Sequence, residues 1–195
     1  MEEWMRKVFI DLGTHYGEGL RDFIKRYNMD SSWIIHTFEA NPRSYQVFIK
    51  NYLYMTPYVI PHNLAVSDRN GMTTINTEIY REEIGTGQGS SIIPLNNWNT
   101  NQTFQDSLEV PSIDISEFIS KHFSKDDFIV LKMDIEGSEY DVLEKMIGDD
   151  SISLINEIYI EWHSRCFIDN IPILSREASL QEILPTKVQK VHTWI

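Results

Sequence analysis

Short apolar runs that end in an acid recur along this chain. Val8-Phe9-Ile10 leads to Asp11, Trp33 to Phe38 leads to Glu39, Phe128 to Met133 leads to Asp134, and Leu154 to Ile160 leads to Glu161. Continuous apolar runs of this length predict strands covered on both faces, as in a parallel sheet. Between them the spacing becomes helical: Leu20, Phe23, Ile24 and Tyr27, then Tyr45, Phe48, Ile49, Tyr52 and Leu53, then Val142, Leu143 and Met146. Pro42 falls where a first helical turn tolerates it, and Gly148 is expected to close the helix after Met146. A further strand fits Tyr58 to Asn63. Strands alternating with helices predict an α/β fold with a mostly parallel central sheet and right-handed crossovers.

The middle and the end are less regular. Met72 to Glu78 reads as an antiparallel edge strand, and Ile92 to Asp106, rich in asparagine, reads as a loop. Val110 to Asp114 leads into a helix capped by Asp114 or Ser116. After Arg165 a loop, a short helix near Glu177 to Leu184 and a last strand in Val188 to Ile195 are expected, with one antiparallel strand near the C-terminus.

Composition narrows the class. The 195 residues suit one domain spanning 1–195, either a minimal enzyme or a domain excised from a longer polypeptide. Hydrophobic and charged fractions of 42% and 24% are those of an ordinary globular protein. A formal charge of −12 argues against nucleic acid or an anionic membrane as partner. No apolar run approaches the roughly 20 residues that span a bilayer. Cys166 is the only cysteine, which excludes an internal disulfide and fits a reducing, cytoplasmic setting. It reads as an inert thiol.

In a parallel sheet the acids at the strand ends lie along one edge, where open α/β sheets bind ligands. The turn after the first strand tells which ligand. A dinucleotide turn wants a second glycine two residues after the first, and Gly13-Thr14-His15 puts an imidazole there. The Gly-Lys-Ser/Thr of a phosphate loop is absent from the sequence. Glu39, ending the second strand, suits the hydroxyls of a ribose. A nucleoside without a pyrophosphate fits best.

At this point the chain resembles the FkbM-type methyltransferases. The resemblance rests on Asp11-Leu12-Gly13 with Gly17, Phe38-Glu39-Ala40-Asn41-Pro42, Asn63-Leu64-Ala65-Val66-Ser67, Gly89-Ser90-Ser91, Ser112-Ile113-Asp114 and Leu131-Lys132-Met133-Asp134-Ile135-Glu136-Gly137-Ser138-Glu139. It covers roughly residues 8 to 163, and its most specific part is Lys-x-Asp-x-Glu-Gly-x-Glu. His15 and Glu18-Gly19 depart from the commoner pattern. The resemblance implies a class I, Rossmann-like fold and transfer of a methyl group from S-adenosylmethionine to a hydroxyl of a sugar or glycan. It further implies Asp11, Gly13, Thr14, His15 and Gly17 around the methionyl part and Glu39 with Ala40 on the ribose. Ala65 and Val66 would lie near adenine, with Ser91 lining the pocket.

Lys132, Asp134 and Glu136 alternate and so share one side of their strand, as do Glu161 and His163. Of these, Lys132, Asp134, Glu136 and His163 are the candidate catalytic group. His163 is the expected general base, because only its ordinary pKa lies near neutrality. Lys132 would serve only if burial lowered its pKa. Asp134, Glu161 and His163 also form a candidate site for magnesium or manganese. Tyr16, Trp98 and Phe104 could stack on a sugar ring, and His36 reads as a core histidine. Two other classes compete: an NAD-dependent oxidoreductase on the same architecture, and a non-catalytic module that kept the fold.

Overall fold

The computed structural model describes residues 5–53, 58–78, 90–94 and 104–194. In chain order they form β1 (Lys7–Leu12), α1 (Glu18–Tyr27), β2 (Trp33–Phe38), α2 (Pro42–Phe48), β3 (Val59–His62), β4 (Ala65–Ser67), β5 (Gly71–Glu78) and β6 (Phe104–Asp114). Then follow α3 (Ile115–His122), β7 (Phe128–Met133), α4 (Glu139–Gly148), β8 (Glu157–Ile160), α5 (Ile171–Lys187) and β9 (Lys190–Thr193). Gly89, Trp98 and most of the asparagine-rich stretch lie outside the described residues.

Six strands make the central sheet in the order β3-β2-β1-β7-β8-β9, every neighbouring pair parallel. This is the expected α/β, Rossmann-like sheet. The chain builds outward to one side from β1 and to the other from β7. The order therefore reverses between those two strands, and such a switch point opens a crevice at their C-terminal ends. Asp11 faces Lys132 across that junction in the strand register.

Three expectations need correction. The C-terminal strand β9 is parallel to β8, because α5 is a full crossover helix that returns the chain to the same end of the sheet. That helix runs 17 residues, with Pro172 in its first turn, and is not the short segment anticipated. The expected loop to Asp106 overlaps β6, which starts at Phe104 and pairs antiparallel with β5. β4, β6 and β5 form a separate three-stranded sheet, so β5 is an edge strand of that unit. Helix ends behaved more simply. Asn41 caps α2, accepting from the Arg43 amide at 3.0 Å, and Asp114 caps α3, accepting from the Glu117 amide at 3.0 Å. Gly148 is the last residue of α4 and Asp149 its cap.

Alternation along each central strand sends side chains to two cores. On the α3, α4 and α5 side Leu12, Leu131, Ile158, Leu143, Met146 and Leu180 pack together. On the α1 side the core is aromatic: Phe23 lies 4.8 Å from Phe9, stacked, and 4.8 Å from Tyr159, edge-on. His36 is indeed buried, with Nδ1 3.0 Å from Nε2 of His62 and its ring set edge-on against Phe118.

Candidate active site

The turn after β1 carries the first wall of the site. Gly13 has φ +81°, and a Cβ there would lie 1.8 Å from the backbone carbonyl oxygen of Asp134. Glycine is thus required by the crossing of two turns at the switch point. The amides of Gly13 and Thr14 both donate to the Phe38 carbonyl at 3.0 Å, locking the turn to β2. The His15 amide donates to Glu39 Oε2 at 2.8 Å, and the Asn41 amide to Oε1 at 2.8 Å. Burial raises the Glu39 carboxyl from its ordinary value, and those two amides oppose the rise. His15 itself is left-handed, φ +51°, a strained setting for a residue with a Cβ.

Lys132 forms the centre. Its Nζ donates to the Gly13 carbonyl at 2.7 Å and lies 3.3 Å from Asp11 Oδ1 and 3.1 Å from Asp134 Oδ2. Burial would lower its pKa, yet Asp11 and Asp134 hold it well above the usual lysine range. Lys132 therefore keeps its proton and is excluded as a base. Asp11 is fully buried beneath the site; burial raises its carboxyl, partly countered by Lys132.

The Lys-x-Asp-x-Glu-Gly-x-Glu segment supplies the second wall. Glu139, at the start of α4, accepts from the Ile135 amide at 2.9 Å and the Gly137 amide at 2.9 Å. It also holds His163, whose Nδ1 lies 2.9 Å from Oε1. Sequence reasoning quoted Glu139 as part of the motif without giving it a task; its spacing of two from Gly137 was the available signal. The closed turn forces Glu136 into the left-handed region, φ +53°. The Ser91 hydroxyl, buried, donates to the Glu136 carbonyl at 2.5 Å.

His163 is 2% exposed and sits behind a set of carboxylates. Its Nε2 lies 3.4 Å from Glu136, 3.7 Å from Glu161 and 3.9 Å from Asp134. Burial alone would lower its pKa, but Glu139, Glu136 and Asp134 raise it to about 9. These carboxylates favour its protonated form, which weighs against the expected role as base. The Glu136 carboxyl is pushed up to about 8, first by burial and then by the surrounding acids, with His163 opposing. Asp134, Glu136 and His163 each bring a ligand atom within 4.8 Å of the others. Glu161, expected in that set, instead accepts from Arg165 at 2.8 Å.

A cavity of about 380 Å³ runs along these strand ends. Gly13, Thr14, His15, Glu39, Ala40, Ala65, Val66, Lys132, Asp134, Glu136 and Glu161 line it, as anticipated from sequence. Four anticipated residues do not. Asp11 and His163 lie beneath it, and Ser91 spends its hydroxyl on Glu136 while Ser90 and Ile92 face the cavity. Gly17 packs against Phe48, whose ring atoms a Cβ would meet at 3.0 Å. Asp22 and Trp194 line the cavity without having been anticipated. Cys166 is half-buried, and burial raises its thiol, in keeping with an inert residue.

A parallel α/β sheet with an acid-lined crevice at its switch point is the architecture of Rossmann-like methyltransferases. The model of the methyltransferase FkbM domain matches residues 11–180, and the chain belongs to that family. Membership of that family weighs against the oxidoreductase alternative. Among solved structures it is similar to the methyltransferase FkbM from Methylobacillus flagellatus KT, with a TM-score of 0.52 and 15% identity. That match covers 93% of this chain and 38% of the other, so the chain spans well under half the length of its structural relative. A comparison with curated protein sequences finds no match. Among the described residues no helix is long and apolar enough to cross a membrane.

Proposed function

We propose that the protein transfers a methyl group from S-adenosylmethionine to a hydroxyl of a sugar or glycan. The observation that carries this reading is the cavity joining Glu39, Ala65 and Val66 to Asp134 and Glu136. Its volume is in the range of small-molecule and cofactor sites. Each Glu39 oxygen accepts one amide and keeps a lone pair for a ribose hydroxyl. Ala65 and Val66 give apolar walls suited to adenine, and the turn from Gly13 to His15 borders the methionyl end.

When bound, S-adenosylmethionine supplies a methyl group made electrophilic by its sulfonium. The chain's part is to align the acceptor oxygen with that methyl and to take its proton. Glu136 suits this role. It lines the cavity, and with its carboxyl pushed up to about 8 it takes the proton from its ionised fraction, which grows as pH rises toward 8. His163, protonated and fixed by Glu139, stabilises the Glu136 carboxylate until the proton arrives. Lys132 and Asp134 hold the β1 and β7 turns in register beneath the reacting atoms.

A second reading rests on the donor set. Asp134, Glu136 and Nε2 of His163 fit magnesium or manganese, with Glu139 orienting the imidazole from behind. Such an ion would make a bound hydroxyl more acidic. Assay after exhaustive chelation separates the two: undiminished turnover removes the ion. The lone Cys166 supports a reducing, cytoplasmic setting, and the acid excess supports an acceptor other than nucleic acid.

The test is incubation with labelled S-adenosylmethionine and a panel of methyl pyranosides, followed by location of the new methyl ether. A labelled ether on a ring hydroxyl is expected. Label found only on nitrogen, or no transfer to any pyranoside, would overturn the proposal.

A further inference from the structure

Glu39 and Trp194 both line the cavity. They follow β2 and β9, which stand four strand spacings apart in the order β2-β1-β7-β8-β9, roughly 19 Å. A nucleoside anchored on Glu39 with its ribose over the β1 turn takes up the first two spacings, about 10 Å. The end bordered by Glu161 and Trp194 is left for another molecule.

Trp194 is built into that end. Its amide donates to the Ile160 carbonyl at 2.8 Å, continuing the pairing of β9 with β8. Its ring packs 4.9 Å from Phe23, with the Arg26 guanidinium 5.9 Å away, which fixes the indole from the core side. The residue is only partly buried and borders the cavity. Gly19 lies beside it: a Cβ there would make ordinary contact at 3.8 Å with both the indole and the Lys132 side chain. Around the indole and along this end of the cavity acids outnumber the cations Lys132 and Arg26. Glu18 and Asp22 project from successive turns of α1, and Glu161, Asp134 and Glu136 come from the strand ends.

An aromatic face beside hydrogen-bond acceptors is complementary to a pyranose, whose C–H groups stack while its hydroxyls donate. The excess of acids opposes a carboxylate or phosphate on the acceptor. An amine would instead be drawn to the carboxylates and to the indole face. We propose that Trp194, ringed by Glu18, Asp22 and Glu161, is the acceptor platform, and that it selects uncharged or amine-bearing pyranosides over uronates and sugar phosphates. This rests on the methyltransferase reading above and adds the charge class of the acceptor.

Methyl transfer to matched neutral, amino and uronate pyranosides tests it, together with Trp194→Ala and Trp194→Phe. The uronate should show kcat/KM at least about tenfold below the neutral sugar, with the amino sugar equal or better. Trp194→Ala should raise the acceptor KM about tenfold or more while S-adenosylhomocysteine binds within about twofold of the parent, and Trp194→Phe should recover most of the loss. A uronate turned over as well as the neutral sugar would overturn the inference. So would a loss of S-adenosylhomocysteine affinity in Trp194→Ala, which would put the indole on the cofactor. No transfer to any pyranoside overturns the proposed function as well; transfer without charge preference or Trp194 dependence overturns this inference alone.

Discussion

Nδ1 of His163 lies 2.9 Å from Oε1 of Glu139, a carboxylate that also closes the turn over the Ile135 and Gly137 amides. One acid thus sets both the backbone path of the motif and the orientation of the buried imidazole. Replacing it by Glu139→Gln leaves a buried imidazolium without its main counter-charge. Stability should fall by roughly 3 kcal/mol, the order seen when one partner of a buried ion pair is lost. Chemical denaturation measures this; a change under about 0.5 kcal/mol would show that Glu139 is not the organising group.

Glu136 is held left-handed, a conformation glycine adopts without cost. Glu136→Gly should therefore leave stability unchanged or raise it by about 1 kcal/mol, since strain and a buried carboxyl are removed together. Turnover should nevertheless drop by about 10²- to 10⁴-fold, the range for loss of a general base. A variant that is both more stable and fully active would take Glu136 out of the mechanism.

Glu39→Gln keeps the shape of the side chain but replaces one acceptor oxygen by an NH2 donor. One of the two amide bonds is then lost, the other loses its charge assistance, and the bonds expected to a ribose weaken. The affinity for S-adenosylhomocysteine should decline about 10- to 100-fold by calorimetry. Affinity within twofold of the parent would refute the ribose assignment.

Two histidines and Glu136 shape the pH dependence of stability in chelated protein. His36 is lowered to about 4 by burial and by His62 and His122. Between pH 6.5 and about 4 the unfolded chain binds a proton that the folded chain refuses, so this group makes stability fall as pH drops through that window. His163 is raised to about 9, so its contribution is complete below pH 6.5 and lost as pH rises through about 9. The Glu136 carboxyl, pushed up to about 8, costs stability as pH rises from its ordinary value of 4.5 toward 8 and so offsets the His36 gain. Melting temperature should therefore decline from about pH 6.5 upward. His36→Leu should remove that offset, so that the decline begins below about pH 6.5 and continues unchanged above it; an unaltered profile on the acid side would assign the offset to other groups.

The acids at strand ends were legible because a parallel sheet must bury its strands and surface its polar residues at the ends. Gly13 was legible as a glycine position but not for its cause, since the Asp134 carbonyl comes from a strand over a hundred residues away. The small sheet was hidden for a related reason. β6 pairs with β5 across a long connection, and Phe104 to Asp106 follow asparagine-rich chain whose composition signals a loop. Ser91 and Gly17 carry family motifs yet serve the scaffold, one tying a carbonyl and the other admitting an aromatic ring. The setting of His163 was not legible, because its ordinary pKa says nothing of the carboxylates that the fold gathers around it.

The cavity draws its lining from both sheets: Gly13, Lys132 and Asp134 from the central one, Ala65, Val66 and Ile75 from the small one. Any molecule filling it bridges the two sheets, adding to the seam where Val66 packs against the central core. Occupancy at 100 times the dissociation constant stabilises a fold by about 2.7 kcal/mol, and here much of that gain would accrue at the seam. The small sheet should then be the part of the molecule whose amide exchange slows most when the cavity is full.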